Sequence, residues 1–165
     1  MLRSLIMILT VVLFLILFLP VMLVFDIIGH FRPRTKDRLV WSLLGGVLKL
    51  VLREGGVRLT VTGLENIPAD QAVLYVSNHR SIFDIMTAIP SLPSVTGFVS
   101  KQEMARVPLL NLWMNRIHCV YLDRENPREG LKAILSAAEL IRSGISVWIC
   151  PEGTRSHPQE MLPLQ

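Results

Sequence analysis

His79 and Asp84 are the residues whose types and spacing most directly offer chemistry, in the run Ser77-Asn-His-Arg-Ser-Ile-Phe-Asp84. An unperturbed imidazole titrates near pH 6.5 and accepts a proton at neutral pH. A carboxylate on one ring nitrogen fixes the tautomer, leaves the other nitrogen free as a base and stabilises the imidazolium that forms. Five positions on an ideal helix turn through about 500°, which leaves the side chains roughly 140° apart, so the two cannot meet on one helix. Ser81 followed by Asp84 fits the pattern of a capping box. Ser81 is then the N-cap, Asp84 lies in the first turn, and His79 sits in the preceding turn, from which its ring can fold back. On spacing alone two readings stand: a His–Asp dyad, or a capping aspartate beside a surface histidine. No Gly-x-Ser-x-Gly elbow accompanies the pair, so the base is expected to activate a substrate hydroxyl.

Two more polar clusters follow apolar runs, Asp123-Arg124 and Pro151-Glu-Gly-Thr-Arg-Ser156. The guanidinium forks of Arg124 and Arg155 suit phosphate oxygens, or equally surface ion pairs. Gly153 either lets backbone approach a ligand closely or simply turns the chain. Glu152 reads better as an orienting acceptor than as a second base, because an arginine lies three residues on. His30, His118 and His157 are scattered, and Cys119 and Cys150 fall inside expected strands as small buried hydrophobes. Neither a metal site nor a disulfide is expected.

The elements that must carry these residues are legible as alternating patterns. Ala72–Val76, Cys119–Leu122 and Val147–Cys150 are short apolar runs of the buried-strand kind, and Val95–Ser100 is a fourth candidate. Val57–Thr62 alternates apolar and polar and is expected to be a half-buried strand. Helical patterns cover Ile82–Ile89, Pro108–Arg116 and Pro127–Ser143, the last with Asn126 as N-cap, Pro127 at its first position and Gly144 past its end. This alternation implies an α/β layered domain. Ligands of such sheets bind beyond the carboxyl ends of the strands, so three polar clusters at three strand ends point to one shared site.

The chain has 165 residues, is 51% hydrophobic and 18% charged, and has a net charge of +4. Leu5 to Phe25 contains no charge. As one helix it would span about 30 Å, the thickness of a bilayer core, with Pro20 placed to kink or end it. Composition therefore argues against a purely soluble protein and against a polytopic channel. Arg32, Arg34, Lys36 and Arg38 follow the run and only Arg3 precedes it. That bias places the later part of the chain at the cytoplasmic face of the inner membrane. Leu39–Leu52 is a second apolar stretch, either interfacial beside the bilayer or a core helix. Residues 1–54 are thus expected to be an anchoring segment and 55–165 a separate domain, catalytic on the dyad reading.

Asn78-His-Arg-Ser-Ile-Phe-Asp84 resembles the Asn-His-x4-Asp block of the membrane glycerolipid acyltransferases. Ser100-Lys-Gln-Glu103, Val120-Tyr-Leu-Asp-Arg124 and Pro151-Glu-Gly-Thr-Arg-Ser156 are similar to their later segments, in the family's order. The overall form is that of the 1-acylglycerol-3-phosphate acyltransferases within the family. The resemblance implies an α/β fold, a mixed sheet flanked by helices, with an N-terminal membrane helix or helical pair. It implies His79 as base and Asp84 as its orienting partner. It further implies acceptor binding by Arg124, Glu152, Gly153, Thr154 and Arg155. The residues identify no oxyanion donor, and backbone groups near Gly153 are the candidates at hand. The implied reaction transfers an acyl group from acyl-CoA or acyl carrier protein to lysophosphatidic acid, without cofactor, metal or nucleic acid. Other lysolipids or glycerol-3-phosphate are rival acceptors. A lipid hydrolase or an inactive membrane-anchored relative are rival functions. His118 stands where the family usually has glycine, and Cys150 where phenylalanine is frequent. The family's fourth block has no counterpart, so the resemblance leads to the expectation of a chain shortened at its C-terminal side.

Overall fold

In a computed structural model residues 1–153 are described, and they divide into two compact units. The first comprises Met1–Leu64 and Ile85–Pro93. Its apolar run is not one helix: α1 covers Leu2–Leu17 and α2 covers Leu19–Phe31, bent by 53° at the break. Proline lacks an N–H and its ring collides with the carbonyl four residues back, so the helix stops and Pro20 starts the next one. The single spanning helix expected from hydropathy is therefore replaced by a bent pair. No single helix is long and apolar enough to cross a membrane; the pair passes that test by length and composition. The second apolar stretch lies within α3, Pro33–Glu54, which packs against α1 and α2 through Val40, Leu44, Val51 and Leu52. Thr10, midway along α1, donates to the carboxylate of Glu54 at the C-terminal end of α3 at 3.0 Å.

The second unit comprises Glu65–Asp84 and the described residues from Ser94 onward. Its sheet contains β1 (Leu74–Val76), β2 (Thr96–Lys101), β3 (Val120–Leu122) and β4 (Ser146–Ile149). The spatial order is β1-β4-β2-β3, and every pairing is parallel. The expected mixed sheet is thus corrected to a parallel one among the described residues. The cause is the connections: helices α4 (Phe83–Ser91), α5 (Leu110–Arg116) and α6 (Pro127–Arg142) stand between successive strands. A strand that returns through a crossover helix enters the sheet in the same direction. Val57–Thr62, expected as a strand, has no regular structure and its residues are exposed. Alternation specifies two faces of a strand but supplies no neighbour for its backbone.

Tyr75, Trp148 and Phe98 are register neighbours across β1, β4 and β2, with ring centroids 5.7 Å and 6.4 Å apart. They form one continuous aromatic layer across the sheet. Phe98, Val147 and Trp113 are buried in the core of this unit, and α6 packs over β3 and β4. Asn126 caps α6 by accepting the Arg128 and Glu129 N–H groups, as its sequence signature indicated. Gly144, with φ +93°, ends the turn after it.

Gly97 and His118 meet before β3. A Cβ on Gly97 would lie 2.5 Å from the His118 carbonyl oxygen, so β2 admits only glycine there. His118 has φ +58°, in the left-handed region where glycine is the usual residue. This explains in physical terms the glycine expected at that position.

Candidate active site

Because the strands are parallel, the carboxyl ends of all four face the same edge of the sheet. The segments leaving that edge carry His79 after β1, Lys101 at the end of β2, Arg124 after β3 and Glu152 after β4.

The His79 turn is built as a capping box. The Ser81 hydroxyl accepts the Phe83 N–H at 3.2 Å, and the Asp84 carboxylate reaches back to the Ser81 N–H at 3.0 Å. Those two bonds set the start of α4 and aim the carboxylate at the preceding turn. Its Oδ2 also accepts the Arg80 N–H at 2.8 Å and lies 2.8 Å from His79 Nδ1. One oxygen therefore collects two backbone donors and the imidazole. Capping and dyad, rival readings on spacing, are both present in one geometry. Burial alone would push the Asp84 carboxyl up, but the Ser81 N–H, the His79 ring and the Arg80 N–H together hold it below the usual carboxylate range. Asp84 is thus an anion at neutral pH, and its bond to Nδ1 orients the His79 ring and fixes its tautomer.

β4 lies directly beside β1, so its loop is the nearest neighbour of the His79 turn. Ser77 N–H bonds the Ile149 carbonyl at 3.1 Å, and Ser77 Oγ lies 3.3 Å from Cys150 Sγ. Cys150 and Cys119 each sit one residue outside a strand, not inside as expected, and both are free thiols. Burial pushes the Cys119 thiol up to about 12, which keeps it protonated and unreactive. Glu152 is 1% exposed, and neither carboxyl oxygen has a hydrogen-bond partner among the described residues. Gly153 has φ +71°, a conformation glycine adopts without strain. Its N–H bonds the Cys150 carbonyl at 3.3 Å, closing a turn.

Arg124 is exposed at the tip of a turn in which Asp123 Oδ1 accepts the Glu125 and Asn126 N–H groups at 2.9 Å and 3.2 Å. Three inter-strand spacings separate β1 from β3, about 14 Å at the usual separation. The sheet therefore brings Glu152 next to the His79 turn and leaves Arg124 on the far side of the same edge. Thr154 and Arg155 lie outside the described residues. Lys101 pairs with Glu103 at 2.5 Å on the exposed end of β2. Among the described residues no group of three or more His, Cys, Asp or Glu side chains is arranged to hold a metal ion. The Ser77–Cys150 contact was not read from the sequence; only the unusual cysteine marked the place.

Residues 58–165 match the model of the protein family described as Acyltransferase. A chloroplastic 1-acyl-sn-glycerol-3-phosphate acyltransferase from Arabidopsis thaliana is 38% identical over 100 residues, which is 60% of this chain and 28% of that one. A 1-acyl-sn-glycerol-3-phosphate acyltransferase from Borreliella burgdorferi is 31% identical, over 72% of this chain and 48% of that one. The human 1-acyl-sn-glycerol-3-phosphate acyltransferase alpha is 30% identical, over 67% of this chain and 39% of that one. The chain thus spans less than half the length of each of these relatives. The crystal structure of the 1-acyl-sn-glycerophosphate acyltransferase from Thermotoga maritima superposes with a TM-score of 0.82 at 22% identity, covering 99% of this chain and 65% of that one. That likeness shows the fold.

Proposed function

This chain belongs to the acyltransferase family, and from that premise we propose that it carries a fatty acyl group from a thioester to the free hydroxyl of 1-acylglycerol-3-phosphate, giving phosphatidic acid. The observation that carries the reading is the 2.8 Å bond between His79 Nδ1 and Asp84 Oδ2 at the carboxyl edge of a parallel sheet. His79 Nε2 takes the proton of the acceptor hydroxyl as its oxygen attacks the thioester carbonyl. The tetrahedral intermediate collapses, the C–S bond breaks, and the imidazolium returns the proton to the departing thiolate. Asp84 holds the ring and offsets its transient charge. Arg124, at the other side of the edge, binds the acceptor phosphate, and Thr154 and Arg155, which lie outside the described residues, are assigned to the same role. Glu152 and Gly153 line the acceptor's path between them. The donor is acyl-CoA or acyl carrier protein. The names of the relatives support lysophosphatidic acid as acceptor. The apolar α1–α2 pair and the basic run after it support a seat on the cytoplasmic side of the inner membrane, where such an acceptor resides.

The test is an acyl-transfer assay on membranes carrying the chain, with labelled acyl-CoA or acylated carrier protein and a panel of acceptors. Transfer to lysophosphatidic acid that disappears in His79→Ala is expected. Free fatty acid without transfer assigns the site to hydrolysis, and transfer only to another acceptor reassigns the substrate.

A further inference from the structure

The β1–β4 pairing ends at Val76 and Ile149, and the Ser77 N–H bond to the Ile149 carbonyl is its last backbone rung. Beyond that rung the two chains part. One leads within two residues to His79, and the other enters the turn that carries Glu152 and Gly153. At the fork Ser77 Oγ and Cys150 Sγ are 3.3 Å apart, and the same sulfur lies 4.0 Å from the Asn78 carbonyl oxygen. A thiol can donate its hydrogen to one oxygen while accepting from a hydroxyl, weakly in both senses. Ser77 is half-buried, as is Cys150, so water competes only partly for these groups.

We propose that Ser77 and Cys150 are a positioning pair that fixes the His79 turn against the Glu152 turn. The inference rests on the acyl-transfer reading for its kinetic consequence but not for its geometry. The leverage is short: Ser77 precedes His79 by two residues and Cys150 precedes Glu152 by two. A rotation at the fork displaces the imidazole relative to anything held by the neighbouring loop. Misplacement of a catalytic group by about 1 Å costs up to a hundredfold in rate. The pair holds no substrate, so its loss acts on turnover and leaves donor affinity untouched.

The test uses the full chain in detergent or lipid. Cys150→Ala and Ser77→Ala each lower kcat about threefold to tenfold, the range set by one hydrogen bond. KM for the acyl donor stays unchanged. The double variant falls no further than either single one, and Cys150→Ser, which keeps a donor and acceptor in place, stays within twofold of the unaltered protein. Independently of activity, hydrogen exchange at the Arg80 and Ser81 amides, which Asp84 holds, speeds up in Cys150→Ala. If Cys150→Ala fails to fold, Ser77→Ala and Cys150→Ser carry both readouts. Additive effects, an unchanged kcat, or unaltered amide exchange would overturn the proposal. Absence of any acyl transfer in the unaltered protein removes the reaction reading, and the exchange measurement then decides the positioning pair by itself.

Discussion

Asp84 concentrates three donors on one oxygen, and this fixes what each substitution there should do. On the proposed reaction His79→Ala removes the general base and is expected to lower kcat about 10²- to 10⁴-fold, the usual range for a positioned general base. Retained turnover in membranes containing the variant would dismiss His79 from the reaction. Asp84→Asn keeps the shape but lets an amide N–H face the ring, so the favoured tautomer is lost and kcat falls by a comparable factor. The same substitution has a signature in stability. Asp84 titrates lower in the folded chain than its ordinary value of 3.8, so the stabilisation its charge provides is present above that value. It is lost as pH falls through the lower folded value. The melting temperature of the unaltered chain should therefore exceed that of Asp84→Asn at pH 7, and the gap should close on acidification below pH 4. A gap independent of pH would mean that the carboxylate's charge contributes nothing. The sequence exposed this cluster through Ser81 and Asp84 but could not choose between cap and dyad. The two alternatives use the same oxygen, so no choice existed to be made.

At the scale of elements, the pattern located strands and helices within one or two residues wherever packing on a neighbour enforces the period. Trp148 sits between Tyr75 and Phe98, and Ala133 and Ala137 face inward from α6. Val57–Thr62 shows the limit, because its alternation is strict and yet its residues are exposed. A strand requires a partner, and partners are set by topology. The break at Phe18 has the same character: Pro20 announces a stop, but the sequence pattern does not carry the 53° bend between two helices that both pack on α3. The Gly97–His118 contact allows a sharp pair of expectations. Gly97→Ala drives a methyl into the backbone carbonyl of His118 and should cost about 1–3 kcal/mol, read from denaturant unfolding. His118→Gly relieves a left-handed backbone worth about 1–2 kcal/mol but adds chain entropy to the unfolded state. A net gain of about 0.5–1 kcal/mol is expected. A loss of that size would show that packing of the imidazole outweighs the strained backbone.

At the scale of the whole molecule, charge and hydropathy are unevenly distributed. The first unit exposes Leu5, Ile8, Leu23 and Ile27 at more than 60% each, far more apolar surface than a water-facing helix tolerates. Immediately after that surface come Arg32, Arg34 and Arg38, all exposed, while Lys36 is paired with Asp37. An apolar face followed by exposed guanidinium groups is the composition of a segment that binds an anionic leaflet by two additive terms, burial and charge. Each basic residue near such a surface contributes about 1 kcal/mol, so replacing the three arginines by glutamine should weaken partitioning by about 3 kcal/mol, roughly a hundredfold. The measurement is co-sedimentation with vesicles containing 30–40% (about a third) phosphatidylserine, at low and high salt, against vesicles of neutral phosphatidylcholine. The unaltered chain should bind the anionic vesicles more tightly, lose that excess in high salt, and match the triple variant there. On neutral vesicles the two proteins should bind alike, because the apolar helices are untouched. Equal binding of the two proteins to anionic vesicles at low salt would show that the arginines do not face lipid. Any vesicle binding that remains would then rest on the apolar helices alone.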